Sequence, residues 1–324
     1  MAQQIELTNT VNESQLGKRL DQVVAELYPD YSRSRIKEWI LGDMVSVNGE
    51  VVNKPRAKMM GGEELHIIAE IEDEVRWEAQ DIPLNIVYED DDIIVINKPR
   101  DFVVHPGAGT PDGTVLNALL HHCPSLAEVP RAGIVHRLDK DTTGLMVVAK
   151  TIQAQTRLVR ALQKRKITRE YEAIAIGKMT GGGTIEKPIG RHATKRICMA
   201  VHELGKPAIT HYRVAEHFRV HTRLVLRLET GRTHQIRVHM SYLTYPLVGD
   251  VQYGGRPRPP RHASDEFIAA LRAFDRQALH ARMLRLAHPI TGEVMEWHAP
   301  LPSDMVAMID ILRKDKIENG EDDY

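Results

Sequence analysis

In RLDQVVAEL, residues 19–27, the apolar positions Leu20, Val23, Val24 and Leu27 recur at i, i+3, i+4 and i+7. That spacing places them on one side of a 3.6-residue turn and predicts an amphipathic helix. A second helix is expected in SRSRIKEWI, residues 32–40, where Ile36 and Ile40 share a face and Ser32 or Ser34 can cap the free N–H groups. VSVNGEVV then alternates apolar and polar residues around Asn48-Gly49, a dipeptide that accepts the positive φ angles of a two-residue hairpin. Two helices and a hairpin make a small N-terminal domain.

The pattern breaks at IEDEVRWEAQDI, residues 71–82, which is poor in apolar residues and rich in acids, as a linker would be. LNIVYEDDDIIVINKP reads as two strands joined by an acidic turn, and the Gly/Pro-rich VVHPGAGTPDG follows. Helical spacing in TVLNALLHH and QAQTRLVRALQK alternates irregularly with strands in REYEAIAIGKM, RLVLRLET and EVMEWHA. This order predicts an α+β fold with a mainly antiparallel sheet rather than a βαβ series.

A length of 324 residues suits one large domain and a small one. The formal net charge of −1 conceals segregation along the chain: residues 63–92 carry twelve acids and one base, and residues 151–240 carry eighteen Lys and Arg against six acids. The basic stretch fits a polyanionic partner, although solvated faces would give the same count. Two cysteines, Cys123 and Cys198, make no disulfide framework and fit a reducing compartment. MAQQIELTNT has neither the basic n-region nor the apolar h-region of a secretion signal, and no apolar run is long enough for a membrane helix. A cytoplasmic location is expected.

Nothing in the chain points to a nucleotide cofactor: GxGxxG after a strand, GxxxxGK[ST] and GxSxG are all missing. His121, His122 and Cys123 are adjacent, but no CxxC or HExxH accompanies them, so a helix end explains them better than a zinc site, and no metal is expected. VHPGAGT, residues 104–110, can offer backbone N–H groups to a phosphate or serve as a plain loop. HRLDKDTTGL, residues 136–145, sets Asp139 between Arg137 and Lys140 directly before the apolar run MVVA. Alone, Arg-Leu-Asp would be a surface ion pair, and Asp139 with Asp141 could imitate a glycosidase's paired carboxylates.

Read together, HRLDKDTTGL, REYEAIAIG and ETGRTHQIRVHM resemble the pseudouridine synthases of the RluA type, over about residues 82–305 and including TYPLVGDVQYG and ALHARMLRLAHP. RLDQVV, SRSRIKEWI and VSVNG resemble the S4 RNA-binding domain. The resemblance implies a pseudouridine synthase fold with a mainly antiparallel mixed sheet, plus a small S4-like domain. The expected division is 16–75 for the S4-like domain, 76–82 for an acidic linker, 83–310 for the catalytic domain and 311–324 for an acidic tail. It further implies an isomerase without cofactor acting on uridine in a stem-loop of 23S ribosomal RNA, as a monomer in ribosome biogenesis. Asp139 corresponds to the family's catalytic carboxylate, Arg237 to its ion-pair partner and Tyr171 to its active-site tyrosine. Arg137 corresponds to the arginine that enters the RNA stack vacated by the flipped base, with His136 and Arg232 also facing RNA. Arg33, Arg35 and Lys37 match the basic surface of the S4 family; Arg33 and Lys37, four apart, share a helix face where they could straddle phosphates or merely be solvated.

Overall fold

The computed structural model describes residues 3–29, 31, 33–71, 77–107, 109–195, 197–256 and 258–320. The chain divides into two compact units, Met1–Arg76 and Trp77–Tyr324.

The small unit runs β1 (Gln3–Thr10), α1 (Leu20–Leu27), α2 (Arg33–Leu41), β2 (Val45–Val47), β3 (Glu50–Val51) and β4 (Glu64–Ile71). Its antiparallel sheet has the order β1-β4-β2-β3. The apolar stripe of α1 (Leu20, Val23, Val24) packs with Ile36, Trp39 and Ile40 of α2 onto Leu65 and Ile67 of β4. Asn48 (φ 51°) and Gly49 (φ 84°) take the left-handed conformations that a two-residue turn requires. One boundary is corrected: the unit begins with β1, ahead of residue 16, because β1 pairs along its whole length with β4 some sixty residues later. Of the two capping candidates of α2, Ser32 and the side chain of Ser34 lie outside what is described.

The large unit runs β5 (Ile86–Glu89), β6 (Ile93–Lys98), α3 (Val115–His122), β7 (Thr143–Ala149), α4 (Ile152–Gln163), β8 (Thr168–Ile176), β9 (Gly183–Glu186), β10 (Ile189–Arg191), β11 (Met199–Val201), β12 (Ile209–His217) and β13 (His221–Leu228). It continues with α5 (Gln235–Tyr242), α6 (Val251–Gly254), α7 (Asp265–Ala273), β14 (Leu279–Ala287), β15 (Val294–His298) and α8 (Ser303–Asn319). Among the described residues nine strands form one sheet, ordered β5-β6-β7-β14-β8-β13-β12-β9, with β15 on β14. All its pairs are antiparallel except β7 with β14. β10 and β11 make a separate two-stranded ribbon.

Both faces of β6 and β7 are covered, which explains their unbroken apolar runs. Ile94, Ile96, Met146 and Val148 pack under α3, whereas Ile93, Val95, Leu145 and Val147 pack under Ala154 and Leu158 of α4. At roughly 1.5–3 kcal/mol per large side chain buried, these two layers are a principal source of the unit's stability.

Two further expectations are corrected. Residues 77–82 are no free linker: Gln80 donates its backbone N–H to the Asn117 carbonyl, Asn117 Nδ2 donates to the Glu78 carbonyl, and Ile82 packs against the α3 layer. Residues 311–319 are no tail, since they complete α8, where Leu312 and Asp315 are buried and Asp315 pairs with the buried Arg219.

Candidate active site

Asp139 stands on the turn that feeds β7, and that turn is pinned from several sides. Lys98, at the end of β6 and fully buried, donates through Nζ to the carbonyls of Pro99 (2.8 Å), Phe102 (2.9 Å) and Lys140 (2.7 Å). Arg276 Nη1 donates to the Asp141 carbonyl (3.2 Å), and Gln277 Nε2 to Thr142 Oγ1 (2.9 Å). Buried carbonyls need such donors, and here they fix the backbone on either side of Asp139. Burial lowers the Lys98 ammonium to about 7, against the opposing pull of Asp141 and Asp139.

Arg237 projects from the first turn of α5 and is 6 % exposed. Its Nη1 donates to Asp139 Oδ2 at 3.2 Å. Its other edge forms a bidentate pair with Asp250, Nε to Oδ2 at 2.7 Å and Nη2 to Oδ1 at 2.9 Å, and Nη2 also reaches Gln252 Oε1 (2.8 Å). The guanidinium lies 4.9 Å from the centroid of the Tyr253 ring. Burial opposes its charge, but the hydrogen bond and charge of Asp250, followed by the charge of Asp139, hold it above the ordinary arginine range. His234, in a left-handed conformation ahead of α5 (φ 55°), places Nε2 3.9 Å from Asp139 Oδ1 and Nδ1 2.6 Å from the Tyr253 hydroxyl. Burial lowers the His234 pKa, partly offset by Asp139. Burial also pushes the Tyr253 hydroxyl up to about 12, so it stays protonated at neutral pH.

Asp139, Arg237 and His234 line a cleft of about 820 Å³ together with Tyr171, Arg137 and Arg169. Tyr171, on β8, is 5 % exposed and packs with Leu138, Leu226 and Ile236, so it is at once a core side chain and a cleft wall. Arg137 is exposed at the cleft, and Arg232 donates through Nε to the Pro207 carbonyl (2.9 Å). Lys140 turns outward to Asp101 (2.8 Å). His136 departs from expectation. Its Nε2 accepts the Val147 N–H (3.1 Å), its Nδ1 is buried without a partner, and burial lowers its pKa to about 3. As a neutral ring bonded to β7, it shapes the loop while lining the same cleft. Arg33 and Lys37 are exposed on α2 in the small unit and Arg35 is half-buried.

The sequence reading missed Asp250, Gln252, Tyr253 and Lys98. The signal was present in GDVQYG and NKPR, but nothing in those strings says that they end at the same guanidinium or the same turn. His121 and His122 end α3 with Nε2 atoms 3.4 Å from an Asp81 oxygen and 2.8 Å from a Glu89 oxygen, respectively.

A carboxylate held by one oxygen against an arginine, beside a buried tyrosine and under an exposed arginine, can act as a nucleophile or base on a group turned into the cleft. Residues 92–242 match the RNA pseudouridylate synthase family model, and residues 18–64 match that of the S4 domain. The chain belongs to the RNA pseudouridylate synthases. It is 75 % identical over 325 residues to the Ribosomal large subunit pseudouridine synthase D of Vibrio vulnificus (strain CMCP6), covering all of both chains. It is 71 % identical to the protein of the same name from Escherichia coli (strain K12), covering 99 % of each. Among solved structures, Human RNA Pseudouridylate Synthase Domain Containing 4 superposes with a TM-score of 0.56 at 26 % identity, over 71 % of this chain and 93 % of that one. Human RNA Pseudouridylate Synthase Domain Containing 1 gives 0.52 at 29 % identity, over 71 % and 95 %.

Proposed function

We propose that this enzyme isomerises uridine to pseudouridine in large-subunit ribosomal RNA, in a stem-loop, as a cytoplasmic monomer, with Asp139 as the catalytic carboxylate. One observation carries the assignment of Asp139. Its Oδ2 is tied to Arg237 at 3.2 Å in the cleft, while among the described residues Oδ1 has only the distant His234 Nε2 at 3.9 Å. One oxygen is anchored and the other is available.

The reaction breaks the N1–C1′ bond of uridine and joins C1′ to C5; the C5 proton is lost and N1 gains one, so no electrons or atoms are exchanged with a cofactor. Asp139 serves it by attacking C1′ or by removing a ribose proton to give a glycal. The target base must leave the helical stack, at a cost of a few kcal/mol, and loops offer bases that are cheap to extrude. Tyr171 forms the wall against which the turned-out uracil stacks, and Arg137 fills the gap that it leaves. In the small unit, Arg33 and Lys37 on one face of α2, together with Arg35, hold phosphates of the RNA.

The test is incubation with a large-subunit ribosomal RNA transcript followed by nucleoside digestion. Wild-type protein yields pseudouridine without added cofactor. Asp139→Asn, which keeps the shape and removes the charge, binds RNA with near-wild-type affinity and yields none. Appreciable turnover by a purified Asn variant would sink the role of Asp139; cleaved strand or released base would indicate hydrolysis instead.

A further inference from the structure

Arg169 lies on β8 two residues before Tyr171, on the same face of the strand, and lines the same cleft. It is 8 % exposed, its Nε is buried without a partner, and its guanidinium makes no hydrogen bond or ion pair with any described residue. Several charged neighbours are paired. On the other face of β8, Glu170 pairs with Arg282, and Glu172 with Arg223 and Arg282; within the cleft, Arg165 has Glu229 and Arg237 has two aspartates. The loop beyond β13 makes room for this cation, since a Cβ at Gly231 would come within 2.8 Å of Arg169 Nη1.

A cation withdrawn from water without a carboxylate is costly, and no described residue supplies the anion that would offset it. We propose that Arg169 is the receptor for a phosphodiester of the bound RNA, the one flanking the uridine turned into the cleft. This rests on the reading that Tyr171 and Asp139 take that uridine. Two residues along a strand span about 7 Å, which sets a guanidinium one nucleotide step away from the base-stacking ring. A base carbonyl would leave the charge uncompensated, whereas a phosphodiester offers two anionic oxygens to the guanidinium fork.

The test is a cycle between protein and substrate. A short RNA stem-loop containing a mapped reactive uridine is made with single methylphosphonates, which carry no charge, at each phosphate flanking that uridine. Binding is read by fluorescence anisotropy. One methylphosphonate should weaken wild-type binding about tenfold to a hundredfold, Arg169→Gln should cost the same on unmodified RNA, and the two together should cost no more than either. Each change should lower the slope of log affinity against log salt by about 0.7. Gly231→Ala, which crowds the guanidinium while keeping its charge, should blunt the effect of the same methylphosphonate and serves if Arg169→Gln fails to fold. The proposal is overturned if the losses multiply at every phosphate, or if no single methylphosphonate weakens wild-type binding. Because binding is read without turnover, a failure to form pseudouridine would count against Asp139 and leave this result standing.

Discussion

Arg237 divides its guanidinium unequally between two carboxylates. Asp250 takes two N–H groups in a bidentate pair, and Asp139 receives a single, longer hydrogen bond. Asp250 therefore supplies most of the neutralisation that a buried cation needs and leaves Asp139 only partly engaged. Replacing Asp250 with Asn keeps one acceptor but removes that charge, so Arg237 should be drawn onto both oxygens of Asp139. The expected result is a kcat about a hundredfold lower with KM nearly unchanged, as misplacing one reacting group commonly gives. Steady-state kinetics decide it: a kcat within threefold of wild type would mean that Asp250 only supports the fold.

β7 supplies the reason for the glycine in HRLDKDTTGL. Gly144 has φ 115°, and a Cβ there would sit 2.3 Å from the Ala281 carbonyl oxygen, at the one parallel joint of the large sheet. Gly144→Ala should cost at least about 3 kcal/mol through backbone strain and overpacking. Thermal unfolding checks this, and an unchanged midpoint would show that the joint yields to a methyl group. α8 gives a second case. Arg219, 1 % exposed, donates through Nε and Nη2 to Asp315, each at 2.9 Å. Truncation after Asp310 removes that carboxylate together with the buried Leu312, and should destabilise the large unit by about 3–5 kcal/mol, whereas truncation after Gly320 should not. Equal denaturation midpoints for the two proteins would restore the reading of this segment as a tail.

At the scale of the whole molecule, buried histidines are expected to contribute to the loss of stability in acid. His221, 3 % exposed and edge-on to Phe267, is lowered by burial to about 4, against about 6.5 for an unfolded chain. Between those values the unfolded chain holds a proton that the folded one lacks. Stability present above pH 6.5 is therefore lost as pH falls toward 4, by up to about 1.4 kcal/mol per pH unit for this side chain. His221→Gln should flatten the decline in melting temperature between pH 6.5 and 4.5. A variant that matches the wild-type profile would remove His221 as its source.

What the sequence determined by itself was local or repetitive. The 3.6-residue period of residues 19–27 became α1, Asn48-Gly49 became the hairpin turn, and the unbroken runs IIVI and LMVV became strands covered on both faces. The segments around Asp139, Tyr171 and Arg237 were legible as a set because backbone chemistry and family pattern coincide within a few residues. Tertiary structure decided which distant groups meet. It paired β1 with β4, bound residues 77–82 to α3, and drew Asp315 onto Arg219 across nearly a hundred residues. It also gave Arg237 to Asp250 as well as Asp139 and left Arg169 without a carboxylate among the described residues. Periodicity reports which face of an element is apolar. It carries no information about which carboxylate a buried cation will reach, because that depends on the folding of two chain segments into one cleft.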